Sequence, residues 1–363
     1  MKKLFAILLA LMLLMVSAFA LAGGTQEDNQ TTGQTPDAES TGKTIDVSNL
    51  VAPTKAQTIT ILKKYAVSST ANYALPSDKL TFTPVDAIVE DGPAKTAPAV
   101  TIEVDDITGG NKLEYEARIK LPPYTQVGVY YYTFTESDGQ IAGITYIKNT
   151  ITLRVTVVQA ENALKVEAVA LREAGENGIK QATEGTASTK TEYDLSKKID
   201  SFDNKYEAGS LTVEKLVTGN LGQLDKEWEF EVTFTSSKKV NAPITYLEKA
   251  SDTTKKSIAA GWTDPQKVKI YLKSGEKVQF DNIPAGVTYS ITETDANKDG
   301  YDTKADNASG TIAAADTAAA KFTNTKDVNI DTGVSLETSA YVLIMALALA
   351  GFVMMVIRRR EEY

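Results

Sequence analysis

Residues 113–121 read LEYEARIKL, and the strict alternation of apolar and charged side chains in this stretch decides the fold class. One face carries only apolar side chains, namely Leu113, Tyr115, Ala117, Ile119 and Leu121. A period of two is typical of a β-strand with one buried face. ITLRVTVV at 151–158 and WEFEVTFT at 228–235 alternate in the same way, and turn sequences separate such runs. The sequence shows no long amphipathic helix, so we predict an all-β fold of antiparallel β-sandwiches.

Six polar residues lie on strand faces that should point into a hydrophobic core. Alternation places a lysine in TITILKKYAV and another in SLTVEKLV, a glutamate at the end of VYYYTFTE and of VTYSITE, and an asparagine in SFDNK and FTNTK. They form two triads in the same order, Lys63, Glu136 and Asn204, then Lys215, Glu293 and Asn324. Because an unpaired buried charge is costly, the repeated pattern indicates chemistry.

The triads can carry out an intramolecular condensation. Burial lowers the pKa of a lysine and raises that of a carboxylic acid, so an inward lysine can be a neutral nucleophile beside a protonated glutamate. The amine can attack the asparagine carboxamide and release ammonia, while the glutamate polarises the carbonyl and transfers protons. We therefore predict a Lys–Asn isopeptide bond in each domain, with Glu136 and Glu293 as catalytic residues.

A second interpretation of the triads stays open. Each lysine could extend to the edge of its domain, with the glutamate as its partner in a buried salt bridge. Two triads with the same facial pattern favour the cross-link over the salt bridge.

Composition limits the possible function. The 363 residues contain neither cysteine nor histidine, which excludes disulfides, thiolate metal sites, a cysteine nucleophile and the usual general base of serine hydrolases. We therefore predict that the protein is not an enzyme in the usual sense and uses no cofactor and no metal. The net charge of −9 argues against nucleic acid as a partner.

The two ends of the chain indicate export and anchoring. Residues 1–22 have the basic start, apolar run and small-residue ending of a signal peptide. An uncharged segment from about Ser339 to Ile357 is long enough to span a membrane, and the arginines that follow it, Arg358 to Arg360, are expected to stay in the cytoplasm.

Between the ends we predict two sandwich domains. A mobile leader is expected at 23–44, the first domain at 45–208 and the second at 209–327, followed by the anchoring segment at 328–363. Gly209 and Ser210 are expected to loosen the chain at the boundary between the domains.

Several segments resemble a known family. ITILKK, VGVYYYTFTE, AGITYIKNTITLRVTVV and SFDNK, followed by LTVEKLVTGN, IPAGVTYSITETD and FTNTK, resemble the major backbone pilins of Gram-positive bacteria of the streptococcal isopeptide-linked type. The resemblance covers about residues 45–330. It implies two tandem Ig-like domains, each with a glutamate-promoted isopeptide bond, and the matching positions are Lys63, Glu136 and Asn204, and Lys215, Glu293 and Asn324.

The resemblance also implies how such a chain is polymerised. In the family a pilin sortase cleaves a Leu-Pro-any-Thr-Gly signal and joins its threonine to a lysine of the next subunit. Residues 329–333 correspond to that signal, with Ile330 in place of the proline, so cleavage is expected between Thr332 and Gly333, and the sortase class stays open.

The linking lysine of the family lies seven residues before the first asparagine, which corresponds to Lys197 here. Lys198 is the competing candidate. In a strand that continued unbroken to Asn204, Lys197 would face outward and Lys198 inward, which favours Lys197.

The function implied is a structural subunit of a covalent pilus on the surface of a Gram-positive cell, made as a membrane-anchored precursor. The expected partners are further copies of the chain, a pilin sortase, ancillary pilins, and peptidoglycan or a membrane anchor. The alternative is a surface adhesin or ancillary pilin that binds a host or matrix ligand.

The loop that begins at Asp295 has two possible interpretations. Asp295, Asn297, Asp299, Gly300 and Asp306 match most of a calcium-loop pattern. No helices are predicted beside them, and hairpin turns use the same residue types, so a plain turn and a calcium loop both stay open.

Overall fold

The computed structural model describes residues 45, 56–70, 73–173, 198–329 and 338–360. Within these residues the strands and the helix are, in chain order, β1 (Gln57–Ser68), β2 (Phe82–Glu90), β3 (Thr101–Val104), β4 (Glu114–Leu121), β5 (Gly128–Glu136), β6 (Ile144–Thr145), β7 (Ile151–Ala160), β8 (Ala163–Glu173), β9 (Lys198–Ile199), β10 (Ser201–Thr218), β11 (Trp228–Thr235), β12 (Ile244–Tyr246), β13 (Lys256–Ile258), β14 (Gln266–Leu272), β15 (Lys277–Pro284), β16 (Thr288–Glu293), β17 (Asp302–Asp306), β18 (Ser309–Thr311), β19 (Thr317–Thr325) and α1 (Thr338–Arg360). The predicted signal peptide (1–22) and leader (23–44) lie outside the described residues.

Two sheets form the first sandwich. One has the strand order β3–β4–β1–β10–β6, to which β10 contributes its first half, and the other has the order β2–β5–β7–β8–β9. Their facing sides carry the alternating apolar residues predicted from the sequence, such as Ile119, Tyr132 and Leu153, which are buried together.

Two further sheets form the second sandwich. Their strand orders are β13–β12–β15–β10–β19–β17 and β14–β11–β16–β18, and here β10 contributes its second half. Aromatic side chains fill this core, and the ring centroids of Phe234 and Phe280 lie 5.3 Å apart. The predicted all-β architecture of two tandem sandwiches is confirmed.

Two strand pairs depart from the antiparallel arrangement predicted from the sequence. Among the described strands, β1 with β10 and β10 with β19 pair in parallel, and the remaining strand pairs are antiparallel. In each domain the first strand therefore lies directly beside the last strand and runs in the same direction. Inward residues of these two strands become neighbours on one face.

β10 belongs to both domains. Residues 201–207 pair with β1, and residues 210–218 pair with β19. The expectation that Gly209 and Ser210 loosen the chain is wrong, because both are buried inside this continuous strand. Gly209 serves close packing instead, since a Cβ atom there would lie 2.4 Å from the carbonyl oxygen of Ala313.

A small apolar cluster closes the junction between the domains. Tyr65, Leu75 and Tyr206 of the first domain pack in one cluster with Ala242 of the second. The residues on either side of the junction are thus shielded from water by both sandwiches.

Asn282 makes the main polar contact at the same junction. Its Oδ1 accepts hydrogen bonds from the Tyr206 hydroxyl (3.1 Å) and the Ala74 N–H (3.0 Å), and its Nδ2 donates to the carbonyls of Pro243 (2.9 Å) and Ala74 (3.2 Å). Its φ of 59° lies in the left-handed region that asparagine tolerates better than most residues. The side chain thus ties β15 of the second domain to the first domain.

The C-terminal helix fits the predicted membrane anchor. Residues 340–360 of α1 are long and apolar enough to cross a membrane, and the helix ends in Arg358, Arg359 and Arg360. The apolar segment expected from about Ser339 to Ile357 lies within this helix.

Candidate reaction centres

The first centre is built on the parallel pair of β1 and β10. Tyr65 lies opposite Asn204 in the register, and Lys63 lies opposite Phe202, so the lysine and the asparagine are diagonal neighbours on the inner face. Lys63 has no exposed surface and Asn204 is 3% exposed. The sequence alternation predicts this inward direction for both side chains.

Glu136 reaches the same point from the opposite sheet. It is the last residue of β5, and its Oε1 lies 2.7 Å from Nζ of Lys63 and accepts a hydrogen bond of 3.2 Å from Nδ2 of Asn204. Its other oxygen, Oε2, accepts a hydrogen bond of 3.0 Å from the backbone N–H of Ile147. One carboxyl group therefore contacts both groups that would react.

The second centre repeats this geometry. Lys215 lies opposite Phe322 in the parallel pair of β10 and β19, and Val217 lies opposite Asn324, so the offset between lysine and asparagine is the same as in the first domain. Glu293 is again the last residue of its strand, and its Oε2 accepts a hydrogen bond of 2.9 Å from Nζ of Lys215. Its Oε1 accepts a hydrogen bond from Nδ2 of Asn324.

Burial controls the charge of both lysines. Desolvation lowers the pKa of Lys63 and of Lys215 below the ordinary value of 10.5, although the glutamate beside each acts in the opposite direction. At the second centre the positive charge of Lys226 lowers the pKa of Lys215 as well. A lowered pKa makes the neutral amine, which is the nucleophile, more available at neutral pH.

Aromatic rings complete the walls of the second centre. Nζ of Lys215 lies 4.5 Å from the ring centroid of Trp228, and Nζ of Lys226 lies 4.1 Å from the same ring. Alternation predicts that Trp228 points inward, but its contact with Lys215 could not be predicted, because it depends on how β11 packs across from β10.

Of the residues predicted to take part in polymerisation, the structure describes only Lys198. Lys197, Thr332 and Gly333 lie outside the described residues. Lys198 and Ile199 form β9, which pairs with β8, and the chain then crosses at Asp200 to the other sheet. The facial argument for Lys197 assumed one unbroken strand to Asn204 and is therefore wrong: Ile199 is the buried residue of β9, and Lys198 is half-buried.

The candidate calcium loop is held by turn contacts. Asn297 and Thr303 exchange two hydrogen bonds of 2.9 Å, and Lys226 lies 3.5 Å from carboxylate oxygens of Asp295 and Asp299. Among the described residues, no group of three or more acidic side chains converges as metal ligands would. These contacts describe an ordinary turn that connects β16 of one sheet with β17 of the other.

Sequence families and curated proteins resemble this chain along most of its length. The family described as the Spy0128-like isopeptide containing domain matches residues 19–207, and a domain of unknown function matches residues 209–326. A pilin of Streptococcus pyogenes serotype M1 is 26% identical over 308 residues, which cover 77% of this chain and 85% of that protein. The pilus tip adhesin Cpa of Streptococcus pyogenes is 32% identical over 135 residues, which cover 35% of this chain and 18% of the adhesin.

Pilins are also among the solved structures that were found to be similar to this chain. The major pilin protein T3.2 of Streptococcus pyogenes serotype GAS13637 is 25% identical, with a TM-score of 0.46, and the match covers 74% of this chain and 98% of the pilin. The match of the isopeptide-domain family to more than half of the chain is the stronger finding, since it includes Lys63, Glu136 and Asn204. The chain therefore belongs to the pilin family that carries the Spy0128-like isopeptide containing domain.

Proposed function

We propose that this chain is a backbone subunit of a covalent surface pilus and that an isopeptide bond closes each of its domains, from Lys63 to Asn204 and from Lys215 to Asn324. One observation carries the proposal. In both domains a buried glutamate contacts a buried lysine and a buried asparagine that are diagonal neighbours on parallel strands. A salt bridge alone would need no asparagine at that position.

The reaction follows from these contacts. The lysine gives a proton to the glutamate, and the lone pair of the neutral Nζ forms a bond to Cγ of the asparagine. The bond from Cγ to Nδ2 then breaks, and the proton that Nζ loses reaches Nδ2 through the glutamate, so that ammonia leaves. Each domain runs the reaction once on itself, which is consistent with a protein that is not a turnover enzyme.

The bonds would stabilise the fold by restricting the unfolded chain. They close loops of roughly 140 and 110 residues, for which the entropic treatment of disulfides gives about 4 to 5 kcal/mol each. A chain without cysteine obtains in this way the covalent reinforcement that disulfides give to other exported proteins.

The mass of the intact protein tests both bonds. We expect residues 23–329, purified after expression, to be lighter than the sequence mass by two ammonia molecules. Replacing Glu136 or Glu293 with alanine should restore the mass of one ammonia in each case, because the lysine then has no proton acceptor. Glu116→Ala is the matched control, since this glutamate pairs with Arg118 on the surface. A wild-type chain with the unmodified mass would contradict the cross-links.

Assembly would use the C-terminal signal and a lysine near β9. The proposed sortase cleavage lies between Thr332 and Gly333, and the threonine would join Lys197 of the next copy, with α1 holding the precursor at the membrane until then. The partners would be other copies of the chain, a pilin sortase, ancillary pilins, and a peptidoglycan or membrane anchor. Membership of the pilin family supports assembly with other pilin subunits.

A lysine substitution tests the link between subunits. In a Gram-positive host with a matching pilin sortase, Lys197→Ala should abolish the ladder of high-mass polymers, whereas Lys198→Ala should keep it. Immunoblots of cell-wall extracts would show both results. A ladder that persists in Lys197→Ala and disappears in Lys198→Ala would move the link to Lys198.

The alternative function as an adhesin or ancillary pilin has less support. The resemblance to the tip adhesin covers 18% of that protein, which is consistent with a shared domain. All the strands among the described residues belong to the two sandwiches, and the helix is the C-terminal one.

A further inference from the structure

The two centres differ in the strand that lies beside the asparagine. In the second domain β17 pairs with β19 from Asp302 to Asp306, and Thr303 lies directly opposite Asn324. In the first domain the corresponding neighbour is β6, which pairs with β10 only at Ile144 and Thr145 and ends before it reaches Asn204. The chain beyond β6 therefore leaves the ladder beside the first centre.

This break in the ladder brings a backbone donor into the first centre. The N–H of Ile147 lies 3.2 Å from Oδ1 of Asn204 and 3.0 Å from Oε2 of Glu136. A backbone N–H can only donate, so the carboxamide must present its oxygen to Ile147 and its nitrogen to Glu136. The asparagine is thereby held with its leaving nitrogen against the proton-transfer group.

The second centre has no equivalent donor among the described residues. Oδ1 of Asn324 is buried and accepts no hydrogen bond there. Because β17 continues past the asparagine, its backbone groups take part in the ladder with β19. Glu293 contacts Nδ2 of Asn324 and not its carbonyl oxygen.

We propose that the backbone N–H of Ile147 is an oxyanion donor for bond formation in the first domain and that the second domain reacts without such a donor. This inference rests on the isopeptide chemistry proposed above. When Nζ of Lys63 bonds to Cγ of Asn204, the carbonyl π electrons move onto Oδ1, where the Ile147 N–H stabilises the negative charge. When they return, the bond from Cγ to Nδ2 breaks, and ammonia leaves with the proton passed from Nζ through Glu136.

Two substitutions at one position test the donor. Ile147→Pro removes the N–H, and Ile147→Ala keeps it while it shortens the side chain. The full chain is isolated unreacted from inclusion bodies in denaturant, its unmodified mass is verified, and it is folded for the first time by dilution into detergent. Peptide masses over time then report ammonia loss from each domain. Loss of one oxyanion donor slows such reactions by about 100-fold or more, so we expect that decrease for the first bond in Ile147→Pro.

The second domain is the internal control. Its bond should form at the wild-type rate in both variants, and the first bond of Ile147→Ala should also form at nearly that rate. If the first bond forms equally fast in the proline and alanine variants, the inference is wrong. If the wild-type chain loses no ammonia in either domain, the proposed function itself fails, so the two failures are distinguishable.

A second replacement covers the case in which proline disturbs the first domain. Incorporation of the α-hydroxy analogue of isoleucine at position 147 replaces the N–H with an ester oxygen and leaves the side chain unchanged. The first bond should again form about 100-fold more slowly. A wild-type rate in this ester variant would overturn the inference, whatever the proline variant does.

Discussion

Lys63 and Lys215 are the residues on which the proposed chemistry depends, because each places an amine where water does not reach. Both have no exposed surface, and each meets a single carboxylate. A buried ion pair often costs more in desolvation than it returns in attraction. The proposed conversion of the amine to an amide would remove the charge permanently, so the unfavourable ground state would favour the reaction.

The lowered lysine pKa values predict how bond formation depends on pH. At acidic pH the amines are protonated and cannot attack, so ammonia release during the first folding of an unreacted chain should be slow and should speed up as the pH rises. Because desolvation lowers both pKa values below 10.5, the rate should level off below that pH. Mass measurements over time would show this when the unreacted chain, isolated in denaturant from inclusion bodies, is folded at a series of pH values. A rate that keeps rising up to the ordinary lysine pKa would contradict the prediction.

For single residues, the sequence predicts which way a side chain points better than it predicts which groups that side chain contacts. Alternation alone identifies the inward faces of all six triad residues, and burial agrees with it. The N–H of Ile147 could not be predicted, because every residue except proline carries this group and only the early end of β6 aims it at Asn204. The contact between Trp228 and Lys215 also depends on sheet packing rather than on a local pattern.

Among the elements, β10 determines how the two centres are related. Its 18 residues carry Asn204 of the first triad near one end and Lys215 of the second near the other. Local composition suggests a linker at Gly209 and Ser210, since glycine often marks flexible chain. The same residue type is also required where backbones approach closely, and here the carbonyls of Ala313 and Asp316 occupy the space.

Gly209→Ala should therefore destabilise the protein. The added Cβ would lie 2.4 Å from the Ala313 oxygen and 2.7 Å from that of Asp316, and neither backbone atom can move aside cheaply. Overpacking of this kind costs about 1–3 kcal/mol, which urea unfolding would show as a lower midpoint. Lys205→Ala is the control on the same strand, because its side chain is exposed and should change the free energy of unfolding by less than about 1 kcal/mol. Equal midpoints for both variants would contradict this account of Gly209.

At the scale of the molecule, the junction holds the two sandwiches in one arrangement. The shared strand, the apolar cluster around Tyr206 and three hydrogen bonds of Asn282, to Ala74 and Tyr206, all cross it. None of these contacts has a sequence signature, because their partners are separated by up to 208 residues. The number and type of domains could be predicted, but their junction could not.

Asn282→Ala should loosen this junction. It leaves the Tyr206 hydroxyl, the Ala74 N–H and the Pro243 carbonyl without their partner and puts alanine at a φ of 59°. Hydrogen exchange at the Ala74 amide should become faster, and the free energy of unfolding should fall by about 1–3 kcal/mol. Asn307→Ala is the matched control, since Asn307 also has a positive φ of 53° but lies in the exposed loop between β17 and β18. A change at Ala74 no greater in Asn282→Ala than in Asn307→Ala would contradict the assignment.

Because β10 belongs to both domains, its position determines which of the two proposed isopeptide bonds would carry tension in a fibre. With Lys197 and Thr332 as the linking residues, a pull passes along β10 to Lys215, crosses the isopeptide bond to Asn324 and leaves through the last residues before Thr332. The bond of the first domain lies upstream of Lys197 on one side and is outside this path. Without the second bond, the roughly 110 residues between Lys215 and Asn324 could unravel and lengthen each subunit by on the order of 350 Å. In the proposed fibre, a subunit would resist extension only if Glu293 had promoted formation of the second bond.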